Sequence, residues 1–358
     1  MKITVALLTL LIVSVSSFAV VRTVSNDPNN PAQYNTVQAA LNASNHGDTI
    51  YVNGSQFYYP DFQINRRVVL IGAGYNVSNQ LNLATQVGSI SLFKDNGVND
   101  ASGTVIMGFF VNCRVVLAGS SLAVTNVRLT RNFIGNGCSP GVFLGTVSNW
   151  TIYNNILRGV GLDGASTNII IQNNIFLSSV SGGNQSSVIV DHNVFQGNGV
   201  GISNMRFATI TNNIFVRTGG NCIDAGTQFN TFNNNLSILS TVGPTAPMNS
   251  FLGGPNSGAG NLVTVDPLFE NVSNFDNYNA TFNYRLKSGS TARNASTDGT
   301  DLGIYGGSYP FPSGGAPGGG YDTSPLPPIP QITSLNVLNS SLQPGAQLQV
   351  NVQAQINN

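Results

Sequence analysis

What constrains this chain most is an Asn that returns about every twenty residues. It stands at Asn132, Asn155, Asn174, Asn193, Asn213 and Asn235, so the spacings are 23, 19, 19, 20 and 22. A short apolar-rich segment precedes each one, and usually two more apolar residues follow it. A period of this size with strand-like content marks a solenoid. It leaves no room for a unit carrying a full helix, but it suits a coil of short parallel strands rising roughly 4.8 Å per turn.

Reading down the columns gives each position a task. Three residues before the Asn stand Leu129, Ile152, Ile171, Val190, Ile210 and Phe232, an apolar stack expected to point inward. Two residues after it come Ile134, Leu157, Phe176, Phe195, Phe215 and Ser237, a second inward stack that fails only at its last coil. The Asn itself is expected at the bend between these strands. There its amide can bond the equivalent amides above and below, and Asn tolerates the left-handed backbone that a sharp corner needs. A further strand recurs at Gly141, Gly159, Gly199 and Asn221, which gives three strands per coil. Between Asn174 and Asn193 its place is taken by a Ser/Gly-rich run, so a weak strand is expected there.

With this register, the chain resembles the right-handed parallel β-helix proteins of the pectin-lyase-like superfamily, in the subset described as β-helix repeat-containing secreted proteins. The resemblance covers roughly Val24 to Tyr309 and includes three further pieces. Thr36–Ala43 places Val37, Ala40 and Leu41 at helical spacing and resembles the helix that plugs the N-terminal end. Arg67–Tyr75, with Gly72 and Gly74, resembles an early-coil motif. Val265–Phe269, Tyr284–Ser290 and Asp298–Gly307 follow the order of the C-terminal closing module. The resemblance implies an all-β right-handed single-stranded parallel β-helix with an N-terminal capping helix. It leaves the reaction open, because one coil serves lyases, hydrolases, tailspikes and adhesins.

The ends of the chain set its expected organisation. Lys2, an apolar run from Ile3 to Val13 and the pattern Ser17-Phe18-Ala19 read as a secretory signal peptide over residues 1–19. The run has eleven residues, about half of the ~20 that cross a bilayer, and the mature chain has no stretch long enough to span. The expected location is therefore secreted, extracellular or at the cell surface. The β-helix is assigned to 20–309, a Pro/Gly linker to 310–330, and a two-stranded extension to 331–358. Ile332–Leu338 and Leu348–Ile356 alternate with period two. Two strands alone are marginal in water, so they must cap the coil, pack on it, or pair with another chain. Leu81–Ser102 fits the period poorly and is expected to contain a long loop.

Composition removes several functions. Lys plus Arg and Asp plus Glu each number 14, and no basic run exists, so a nucleic-acid partner is excluded. Cys113, Cys138 and Cys222 form no metal-ligand cluster, and neither a metal nor a cofactor is expected. Cys113 and Cys138 lie 25 residues apart, close to one coil, which allows pairing between neighbouring coils, but their offsets from the ladder differ by two residues, which favours free thiols.

Two columns flank the ladder: Thr130, Tyr153, Gln172, Asp191, Thr211 and Asn233, then Arg131, Asn154, Asn173, His192, Asn212 and Asn234. They are expected to be exposed, on the kind of face that sugar-cleaving β-helix enzymes use. Glycoside hydrolysis needs two carboxyl groups about 5 to 10 Å apart. Asp191 has no acid beside it in its column, and Asp163 and Asp224 are three coils, roughly 14 Å, apart. One Glu and three Lys supply no lyase-type cluster. No catalytic residue is assigned; Asp191 and His192, with Arg131 and Tyr153, form the best constellation, and an exposed turn is its simpler reading. Asp298 and Asp301 read as a structural turn. For carbohydrate contact the candidates are Tyr153, Gln172 and Arg158. The expectation is a structural or carbohydrate-interaction role without catalysis. The alternatives are a polysaccharide lyase or glycoside hydrolase, and a fibre subunit that self-associates through 331–358.

Overall fold

A computed structural model describes residues 19–75, 83–119, 121–162, 166–182, 187–219, 221–239, 251, 255–311, 330–338 and 347–356. The signal-peptide run and Asp163 lie outside them, as does most of the linker. The chain forms an all-β parallel solenoid of about eight turns. Its three walls are parallel sheets of ten, nine and seven strands. A complete coil contributes one strand to each wall. Arg128–Thr130 enters the ten-stranded sheet, Phe133–Ile134 the nine-stranded and Val142–Leu144 the seven-stranded, before Thr151–Tyr153 begins the next coil beside Arg128–Thr130.

Both inward columns lie where the period puts them. Leu129, Ile152, Ile171, Val190, Ile210 and Phe232 are buried, as are Ile134, Leu157, Phe176, Phe195, Phe215 and Ser237. Phe176, Phe195 and Phe215 stack face to face with centroids 4.6 Å apart. Phe251 continues the pile against Phe215 and Phe232. Trp150 fills the interior and donates its indole N–H to the Val124 carbonyl at 2.8 Å.

Helix Val37–Ala43 starts where Thr36 accepts the Ala39 amide, and its Val37, Ala40 and Leu41 stripe is buried. Asp48, beside the early Gly47 turn, is a structural anchor. Burial opposes its charge, but the Asn45 and Val20 amides and Arg22 outweigh that and hold its carboxyl below the usual range.

Within Leu81–Ser102, Gln86–Val87 and Ile90–Leu92 are strands in two different walls, and Val87, Ile90 and Leu92 are buried. The Ser/Gly-rich run supplies a short strand, Val180–Gly182, in register with Val160–Leu162. Contrary to the expectation of free thiols, Cys113 and Cys138 are bonded to each other, while Cys222 is buried outside any disulfide. Their mismatched ladder offsets are absorbed by the longer corner after Ile134, where Gly137 donates its amide to the Asn112 carbonyl.

Beyond the coils, Phe269–Asn271 pairs antiparallel with Asn283–Leu286. The following segment, 290–311, lies along the outside of the nine-stranded sheet. There Leu302, Ile304 and Phe311 join Ile156, Ile175, Val194, Ile214 and Leu236 in a second apolar cluster. At the C-terminus, Pro330–Val337 and Val350–Ile356 form an antiparallel pair.

Candidate functional site

The corner between the ten- and nine-stranded sheets carries Arg131, Tyr153, Gln172, Asp191 and His192, whereas Arg158 and Asp224 lie elsewhere on the coil. Asn132, Asn155, Asn174, Asn193 and Asn213 each pass an Nδ2–H to the Oδ1 of the next rung, at 2.9 to 3.0 Å. Asn235 extends the row to Asn261, which the twenty-residue period does not reach because 26 residues separate the two. Each Oδ1 from Asn155 to Asn261 also accepts the backbone amide of the rung before it. The left-handed backbone is not on the ladder Asn as expected. It falls one residue earlier, on Arg131, Asn154, Asn173, His192, Asn212 and Asn234, with φ between 51° and 59°.

That preceding column is where the structure departs most from the sequence reading. Asn154, Asn173, His192 and Asn212 are buried instead of exposed, and Thr130 beside them is buried too. What covers much of the column is the closing segment. Asn173 donates Nδ2 to the Ile304 and Gly306 carbonyls at 3.0 and 2.8 Å. Asn212 exchanges two bonds with Thr297 and accepts the Gly303 amide on its carbonyl. Asn234 donates to the Ala295 carbonyl at 2.8 Å.

His192 lies at the centre of this seam with 1% of its surface exposed. Its Nδ1 is 2.8 Å from Asp191 Oδ2, and its Nε2 is 3.3 Å from Thr300 Oγ1 and 3.8 Å from Asp298 Oδ1. The other Asp191 oxygen accepts Thr211 Oγ1 and Asn212 Nδ2, both at 2.8 Å. Gly306 and Gly307 lie against the ring. A Cβ at Gly306 would come within 2.7 Å of His192 Cδ2, and one at Gly307, where φ is 71°, within 2.9 Å of Nδ1. Only residues without a side chain let this strand approach so closely.

Thr300, His192 and Asp191 thus stand in the order hydroxyl, imidazole, carboxylate, which is the logic of an activated nucleophile. The hydrogen-bond directions oppose that use. Thr300 sends its hydroxyl hydrogen to Asp298 at 2.6 Å and accepts the Gly307 amide at 2.8 Å. Ser296 also donates to Asp298. Burial works against the Asp298 charge, yet the Ser296 and Thr300 hydroxyls, the Thr300 amide and nearby His192 outweigh it and hold the carboxyl at about 2. A hydroxyl bonded to a carboxylate this acidic is not primed toward the imidazole, and the ring is roofed by backbone. Asp301 ties the same turn by accepting the Asn294 amide.

The remaining candidates separate. Arg131 is three strands from Asp191 in the ten-stranded sheet, roughly 14 Å at the usual spacing, so it does not join the Asp191–His192 pair. Tyr153 is two strands away, paired with Gln172, and its ring meets Tyr309 at 4.8 Å. Arg158 follows the nine-stranded sheet, at a different corner. Asp224 is tied down by Ser203, the Asn204 amide and Thr227; burial opposes its charge, and these bonds still hold its carboxyl below the usual range.

Thr300, Asp298 and the two glycines were missing from the expected constellation because they lie over a hundred residues from His192. One signal did point to a cover. The residue directly after each ladder Asn is apolar at every coil (Phe133, Ile156, Ile175, Val194, Ile214, Leu236), an outward stripe that water does not favour. Among the described residues, no group of three or more His, Cys, Asp or Glu is placed to hold a metal ion. No protein-family model matches the chain, and no curated protein matches it.

Proposed function

We propose that this chain is a secreted, non-catalytic solenoid with a structural role outside the cell. The observation that carries the reading is the seam at His192. The one Asp–His pair on the expected catalytic face serves to fasten the closing segment, with the imidazole between two carboxylates and beneath two glycines. The Cys113–Cys138 disulfide supports an oxidising compartment. Incubation with acidic and neutral polysaccharides should release neither reducing ends nor unsaturated products. Turnover that disappears in both Asp191→Ala and His192→Ala, with the solenoid's amide protection intact, would replace this reading with a polysaccharide lyase or hydrolase.

A carbohydrate-interaction reading is favoured by the Tyr153–Tyr309 pair beside Gln172. Half-exposed tyrosines offer apolar ring faces and hydroxyls to a sugar. Binding on a glycan array that is lost in Tyr153→Ala and Tyr309→Ala would support it; unchanged binding would remove this surface.

A further inference from the structure

Near the N-terminal end, the turn that leaves the capping helix, the corner before Val68 and the loop around Val98 enclose a cavity of about 220 Å³. Ser44, Asn45 and His46 line one side, Asn65 and Arg66 a second, and Asn99 a third. Arg66 is half-buried, and neutral groups hold its guanidinium: Nε donates to Asn65 Oδ1 at 3.1 Å and Nη1 to the Ser44 carbonyl. Asn65 in turn donates to Asn99 Oδ1 at 3.0 Å, and Asn99 to Asp95 at 2.6 Å. Among the described residues, no carboxylate pairs with Arg66 or His46. The acids on these segments are committed elsewhere: Asp48 to Arg22 and the Val20 and Asn45 amides, Asp95 to Asn99 and Gly97, Asp100 to Lys94 and Ser102. Arg66 is therefore a fixed cation without a counter-charge.

His46 adds a second donor. Its Nδ1 accepts the Arg67 amide at 3.2 Å, which puts the ring hydrogen on Nε2. Among the described residues that N–H has no partner, and neither do Arg66 Nη2 and the Asn45 side-chain amide. A lining rich in donors and carrying one positive charge suits an oxyanion, to which charge-assisted hydrogen bonds are roughly twice as strong as neutral ones. A carboxylate fits best: its single charge balances Arg66, and its two oxygens accept the Nη2 and Nε2 donors together. A dianion would leave one charge uncompensated. The volume lies below the roughly 300 Å³ at which sites for drug-sized ligands begin, so the ligand is small. We propose that this cavity binds the carboxylate of a small organic acid, with Arg66 pairing its charge and His46 Nε2 donating to its second oxygen. The bonds that hold Arg66 are in place before the ligand arrives, so ordering it costs little.

The chain has two histidines, and His192 is sealed in the seam, so it serves as an internal reference. Sodium acetate titrated at fixed pH and ionic strength should shift the His46 ring resonances saturably and leave those of His192 in place. Acetamide, the uncharged isostere, should shift neither ring. Arg66→Gln should weaken acetate binding by about tenfold or more, and Arg67→Gln, outside the cavity lining, should not. Because Arg66→Gln also removes the bond to Ser44, His46→Ala supplies an independent reading. Saturation transfer to the acetate methyl group should fall in that variant too. No saturable shift at His46, an equal response to acetamide, a tighter response to sulfate than to acetate, or binding unchanged in Arg66→Gln or His46→Ala would each overturn the proposal.

Discussion

Two columns of asparagine stand one residue apart at the same corner and do opposite things. The ladder Asn bonds to its own kind one turn above and below, so its needs are met within the repeat. The residue before it, also Asn at four of six turns, reaches instead for a segment far along the chain. The residue type is shared; the backbone differs. A left-handed φ at the earlier position aims one amide at the cover while the next enters the stack. Residue identity alone therefore does not separate an internal spine from a docking strip.

Substitutions in the two columns should differ in kind. Asn174→Ala removes an oxygen that accepts two N–H groups and an amide that donates to Ile152, Gln172 and Asn193. With several buried groups left unpaired, global stability in urea should fall by about 3–5 kcal/mol. Reducing Cys113–Cys138, whose partners are 25 residues apart, should cost about 3 kcal/mol, because neighbouring coils lose a covalent tie. Asn212→Ala should cost only about 1–2 kcal/mol, and the loss should be local. Hydrogen exchange should accelerate at Thr297 and Gly303, the amides received by Asn212, while Asn155 and Asn174 stay protected. Equal deprotection in both places would erase the distinction.

Acid should bring out the smallest difference. The folded-state pKa of Asp298 is depressed from 3.8 to about 2, so its contribution is present above 3.8 and lost as pH falls toward 2. The closing-segment amides should lose protection in that window before the ladder does, and Asp298→Asn should flatten the effect. The ladder side chains do not titrate, which makes them the internal reference.

The sequence disclosed whatever repeats. Six asparagines and twelve inward residues define the coil because stacking makes one turn the environment of the next, so a local period carries a three-dimensional fact. The capping helix was legible for a similar reason: Val37, Ala40 and Leu41 state their face within one turn. The site was not. His192 faces Thr300 across 108 positions, and nothing periodic links them. Asp191 lacks an acid in its own column, as the spacing requires, yet Asp298 approaches the same imidazole from outside the repeat. The Cys pairing was misjudged because the corner after Ile134 is longer than the average coil allows.

The strip from Ala295 to Gly306 touches Asn173, His192, Asn212 and Asn234, which belong to four successive turns. Turns of a solenoid ordinarily feel only their immediate neighbours, so such arrays tend to fray one by one from an end. A splint laid across four of them joins their fates: the last turns cannot peel away until it lifts. Loss of this distal half should thus be a single event, and lifting of the splint its first step.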